Sequence, residues 1–122
     1  MRYGLCADIR IVREIEEAGY DYVDGKLNQF ALWPQDEFDE VLKTFRLSSV
    51  KMERCALLFP KTMTVIGEKY DEEEMKRYLD VAFKRMTALD CRLVVFGSGK
   101  SRCVPEGMRW QEAYRQLVEV TR

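Results

Sequence analysis

Residues 94–107 read VVFGSGKSRCVPEG, from Val94 to Gly107. An apolar run, Leu93 to Phe96, turns abruptly into glycines, small polar residues and cations. A short continuous apolar run that ends at glycine is the pattern of a parallel strand buried on both faces. Gly99-Lys100-Ser101 shares three letters with phosphate-cradling nucleotide loops. Those loops also need a glycine at position 94, which here is Val94, and a helix straight after the serine. Pro105 and Gly107 instead prolong an irregular loop toward a helix near Trp110. Two roles stay open for the segment. In one, Gly97 and Gly99 serve only a tight turn off the strand; in the other, Ser98, Lys100 and Arg102 gather at a strand end to hold an anionic or polyhydroxyl ligand.

Upstream of this segment the pattern alternates. Tyr3 to Ala7 reads as a strand, and Asp8 can cap the helix marked by Ile9, Val12, Ile15 and Ala18. Gly19 suits that helix's end. Tyr20 to Val23 reads as a second strand stopping at Asp24-Gly25, and Lys26 to Pro34 as a loop. Phe38, Val41, Leu42 and Phe45 mark a second helix, and Val50 to Phe59 carries a third strand. Asp71 and Glu74 form a capping pattern ahead of Met75, Tyr78, Leu79, Ala82, Phe83, Met86 and Leu89, one face of a third helix. A fourth helix follows Trp110. The order is βαβαβαβα, which implies an α/β fold with a parallel sheet in one domain, residues 1–122. In such folds the working groups lie at the carboxyl ends of the strands. Here those ends fall near Cys6-Asp8, Asp24-Leu27, Phe59-Lys61 and Gly97-Gly107.

Composition narrows the chemistry. Twenty basic and 21 acidic residues nearly cancel, which leaves no electrostatic footprint for nucleic acid or an anionic membrane. The chain has no histidine, so the commonest general base and metal ligand is missing. Cys6, Cys55, Cys91 and Cys103 show no CxxC spacing, which argues against a zinc site. Cys6 and Cys55 are expected in the core. Cys103 beside Arg102 is read as a bystander thiol. No segment has the apolar length of a membrane span or signal core, so reduced thiols in the cytoplasm are the expectation.

Leu93-Val94-Val95-Phe96-Gly97-Ser98-Gly99, Arg102 and Val104-Pro105-Glu106-Gly107 resemble the fourth strand and loop of the xylose-isomerase-like TIM-barrel family. Ala18-Gly19-Tyr20-Asp21-Tyr22-Val23 is similar to the family's entry to strand two, Leu58-Phe59-Pro60 to the end of strand three, and Gly67 with Tyr78-Leu79 and Ala82 to its third helix. The resemblance spans essentially the whole chain. It implies a sugar or sugar phosphate isomerase or epimerase, with Ser98, Lys100, Arg102 and Asp24 as substrate-binding residues. Asp24 stands near a position where relatives often carry glutamate, and Asp90 where the family commonly has glycine. A (β/α)8 barrel takes about 250 residues, whereas this chain supplies four βα units, half of one. The family's metal-binding Glu, Asp, His and Glu belong to the second half. No catalytic residue and no metal ligand is therefore assigned, and a divalent metal (Mn, Mg, Zn or Co) is expected only in a full-length barrel. The related endonuclease IV group relies on histidines, which this chain lacks.

Half a barrel leaves open edges and an uncovered inner face. The chain is therefore expected to pair with a second copy or to need a C-terminal half, unless Trp33, Trp110 or a loop folds over the gap. The alternative expectation is a non-catalytic assembly module that binds a small polyol or phosphate.

Overall fold

A computed structural model describes all residues, Met1–Arg122. Strand β1 (Gly4–Ala7) leads through a 3-10 turn (Ile9–Ile11) into α1 (Val12–Glu17). Strand β2 (Tyr22–Lys26) is followed by α2 (Leu27–Phe30) and α3 (Gln35–Leu47). Strand β3 (Lys51–Ala56), α4 (Glu72–Ala88), a second 3-10 turn (Gly99–Arg102) and α5 (Trp110–Val120) complete the chain. The strands form one parallel sheet in the order β1-β2-β3. The α/β class and the pairing of consecutive strands follow the alternating pattern.

The helix ends obey local chemistry. The Asp8 carboxylate accepts from the Arg10 backbone N–H at 2.9 Å, and Asp71 accepts from the Glu74 N–H at 2.9 Å. Gly19, just past α1, has φ 81°, a conformation in which a side chain would be strained. Asp36 and Glu37 in the first turn of α3 and Arg46 in its last complement the helix dipole.

Five expectations need correction. Strand β2 starts later than the apolar run and continues through Asp24-Gly25, the residues expected to stop it. At Gly25 a Cβ would lie 2.9 Å from the Met52 methyl carbon, so a larger residue there would have to displace that side chain. A short helix, α2, occupies part of the presumed loop at 26–34. Phe83, assigned to the buried face of α4, is exposed, as is Cys6 on β1. The largest departure concerns the fourth strand.

Leu93–Phe96 lies beside β3 but forms only one parallel bridge, between Cys55 and Val94. The Cys55 N–H donates to the Leu93 carbonyl and the Val95 N–H to the Cys55 carbonyl, each at 2.8 Å. Leu93 and Val95 are 57% and 50% exposed, so the segment is not buried on both faces. The cause is the missing environment: no strand flanks its far edge, and nothing covers the inner face.

Burial alternates along the strands. Ala7, Val23, Gly25, Met52 and Cys55 are buried, and all but Gly25 belong to one cluster with Ile9, Val12, Ile15, Phe38, Phe45, Ala82 and Met86. Gly4, Cys6 and Arg54 lie on the opposite, open face and are exposed. The core therefore sits on one side of the sheet. Trp33 packs on Phe30 with ring centroids 6.3 Å apart. Trp110 stacks on Tyr114 at 5.3 Å and stays 65% exposed. No helix is long and apolar enough to cross a membrane.

Candidate functional site

The open face and the carboxyl ends of the strands carry the polar groups that the core does not use. Asp24 stands on β2, the central strand, opposite Cys6 on β1. On its other side the register slips between Val23 and Asp24, so that Val23 opposes Met52 and Asp24 opposes Arg54. Without the slip, Asp24 would face Glu53 and two like charges would meet. With it, Arg54 Nε donates to Asp24 Oδ2 at 2.8 Å. This hydrogen bond, together with the attraction of the carboxylate, holds the Arg54 guanidinium above its ordinary pKa. Glu53 instead pairs with Arg2, whose guanidinium also lies over the Tyr22 ring.

Two buried acceptors at these strand ends have no partner, Asp24 Oδ1 and Asn28 Oδ1. Close by in the chain fold, Leu57 takes φ 58° just after β3, and its carbonyl accepts from the Asn28 N–H at 3.1 Å. A left-handed leucine is strained, and such strain gathers at functional rims. Tyr78 donates its hydroxyl to the Leu58 carbonyl at 2.7 Å, and burial pushes its pKa up.

The loop after the bridging segment is a clamp as well as a display. Ser98 is 6% exposed, and its Oγ accepts from the Phe59 N–H at 2.8 Å. Ser101 donates to the Pro60 carbonyl at 3.2 Å, and its own carbonyl accepts from the Val65 N–H at 2.9 Å. Ser98 and Ser101 thus fasten this loop to the one between β3 and α4. Lys100 and Arg102 face solvent, and the Arg102 guanidinium lies 5.2 Å from the Phe96 ring centre. Neither Gly97 nor Gly99 has positive φ, and a Cβ at either would meet nothing within 4 Å. Steric need for a tight turn does not explain these glycines. No helix follows Ser101; α5 starts only at Trp110, so the segment has no nucleotide-loop geometry.

Ser98, Lys100 and Arg102 therefore share one turn, while Asp24 sits across β3 from them. A groove of about 890 Å³ lies between Gly67-Lys69 and Pro105-Met108, edged by Glu112 and Gln116 of α5; none of Ser98, Lys100, Arg102 and Asp24 lines it. No three Cys, Asp or Glu side chains converge as metal ligands. One oxygen of Asp24 is already bound to Arg54. The residues of this chain do not fit a divalent metal.

Sequence reasoning missed Arg54, Asn28 and Ser101. Arg54 had no distinctive signal, because Lys51 and Glu53 are charged residues of the same strand. Its pairing with Asp24 depends on the slipped register, which one strand cannot announce.

No family model matches the sequence, and neither does any curated protein. Among solved structures, this fold is similar to D-psicose 3-epimerase crystallised in the presence of D-fructose. The match has a TM-score of 0.69 at 12% identity and covers 98% of this chain and 46% of the epimerase chain. This chain therefore spans less than half the length of that epimerase.

Proposed function

We propose that this chain forms the first half of a sugar isomerase or epimerase-type barrel and binds a sugar or sugar phosphate at the carboxyl ends of its strands. The observation that carries the proposal is the match of nearly the whole chain to under half of an epimerase fold. Around it, Asp24 Oδ1 and Asn28 Oδ1 are buried and unpartnered at the strand ends, a cost that a donor such as a sugar hydroxyl reaching them would relieve. The exposed cations Lys100 and Arg102 suit a phosphate. Proton transfer, with any metal that assists it, is assigned to the other half of the barrel, because this chain's donors do not assemble a metal site. The other half is either a second copy of this chain or a distinct C-terminal half.

A second reading is a non-catalytic assembly module of the same fold. The exposed Leu93 and Val95 and the Trp110–Tyr114 stack favour it, as apolar surface suited to a partner.

Calorimetric titration with D-fructose and with a ketose phosphate separates the two. Binding of the phosphate sugar is expected, weakened about tenfold or more by Lys100→Ala with Arg102→Ala, the loss of at least one charged contact. Both residues are exposed, so the fold should survive. A folded, assembled protein that binds neither sugar at millimolar concentration refutes the first reading. Self-association without sugar binding supports the second.

A further inference from the structure

The buried face of the sheet holds a chain of sulfur atoms that the proposed binding function does not use. Cys55 Sγ lies 3.5 Å from Met52 Sδ and 3.5 Å from Cys91 Sγ. Both thiols are buried and free. Cys55 sits on β3, where its N–H and carbonyl make the only bridge to the Leu93–Phe96 segment. Cys91 lies just before that segment, after the left-handed turn at Asp90 (φ 55°). The two sulfurs are thus in van der Waals contact at the root of the most weakly held strand.

We propose that Cys55 and Cys91 form a reversible intramolecular disulfide that fastens the Leu93–Phe96 segment to β3. The oxidant is a peroxide. Cys91 sulfur, as thiolate, attacks one peroxide oxygen; the O–O bond breaks, a sulfenic acid forms, and hydroxide leaves to become water. Cys55 sulfur then attacks Cys91 sulfur, the S–O bond breaks, and a second water leaves with the Cys55 proton. Two thiols are oxidised to one disulfide, and one peroxide is reduced to two waters. A dithiol reverses the reaction.

Cys91 is the attacking group because Cys55 donates its S–H to it. That hydrogen bond lowers the Cys91 pKa and raises that of Cys55. Neither thiol is exposed, but a cleft of about 470 Å³ between the ends of α3 and α4 is lined by Met52, whose sulfur lies 3.5 Å from that of Cys55, and by Asp90, the residue before Cys91, so peroxide needs only a local opening there. A disulfide draws its sulfurs to about 2.05 Å, and the single-bridge segment has the freedom to follow. The bond would close a loop between residues 36 apart in sequence, which removes entropy from the opened state.

The test starts with Cys6→Ser and Cys103→Ser together, both at exposed positions, leaving two thiols. The folded protein is treated with hydrogen peroxide, then unfolded in an alkylating reagent. Neither remaining thiol should be alkylated, and a dithiol should restore both. Hydrogen exchange at the Val95 amide, bonded to the Cys55 carbonyl, should slow about tenfold or more. If the double variant does not fold, peptide mapping of the oxidised unmodified chain should recover the Cys55 and Cys91 peptides joined to each other. Free thiols or sulfinic acids at these positions, joining to Cys6 or Cys103, or unchanged exchange at Val95 each overturn the proposal.

Discussion

Arg85 to methionine is the substitution whose sign is least obvious. Arg85 is 6% exposed, on the covered face of α4. Its Nη1 donates to the Phe30 carbonyl at 2.6 Å and to the Trp33 carbonyl at 2.8 Å, and its Nη2 to Gln35 Oε1 at 3.2 Å. The guanidinium lies 4.7 Å from the Phe38 ring centre. Burial pulls its pKa down, countered only in part by Asp39, and Nε has no partner. Removing the charge therefore relieves a desolvation cost of several kcal/mol. Against that gain stand the charged hydrogen bonds to the two carbonyls, about 1.5–3 kcal/mol each, and the penalty of leaving both carbonyls buried without donors, about 1–3 kcal/mol each. The ring contact adds about 1 kcal/mol. The carbonyls stay behind when the arginine goes, so the loss wins. We expect Arg85→Met to cost about 2–4 kcal/mol, a fall in Tm of about 10 °C for a chain of this size. Urea unfolding followed by circular dichroism measures it, with Arg85→Lys expected in between. A methionine variant as stable as the parent, or more so, refutes the reasoning, because desolvation would then dominate.

Three further expectations follow from single contacts. Ser98→Ala leaves the buried Phe59 N–H without an acceptor and should cost about 1–3 kcal/mol in urea unfolding; a smaller cost would mean that Ser98 is free for a ligand. Gly67→Ala places a Cβ 2.5 Å from the Pro105 ring at φ 91° and should cost about 1–3 kcal/mol, read as a drop in Tm. Asp8 is held below the ordinary carboxylate pKa by its side-chain hydrogen bond with Arg10. Its stabilising contribution is therefore present above about pH 4 and is lost as pH falls toward the lower folded value. Arg10→Met should flatten that acid limb in a series of unfolding curves, and an unchanged limb would remove Asp8 from the account.

Elements built from local contacts were legible before any coordinates. The Asp71 cap, the α4 stripe around Tyr78, Ala82 and Met86, and the Gly19 stop depend on neighbours within a turn or two. Asp90 takes φ 55° at the place where the family resemblance expects glycine. Arg85 carries no local sign of its burial. It stands three residues after Ala82 on the buried stripe, but the carbonyls that justify a buried cation come from Phe30 and Trp33, far away in sequence.

The candidate site divides in the same way. Lys100 and Arg102 were visible as cations in a glycine-rich loop, and the structure keeps both exposed. Ser98 looked equally available, yet it is buried, and its hydroxyl oxygen accepts from the Phe59 N–H, thirty-nine residues earlier. Asp24 was expected at a strand end as a substrate-binding residue; its partner Arg54 follows from a slipped register between two strands.

Periodicity and capping therefore specified the alternation of strands and helices, because those signals act over distances shorter than a helix. They also supplied Leu93–Phe96 with the letters of a strand. Whether those letters became one depended on a neighbouring strand and a covered face, both of which lie elsewhere in space. With β3 on one side and open edge on the other, the segment keeps a single bridge and exposes Leu93 and Val95. Hydrogen-bonded pairing and burial are pairwise quantities, and no residue carries its partner in its own identity.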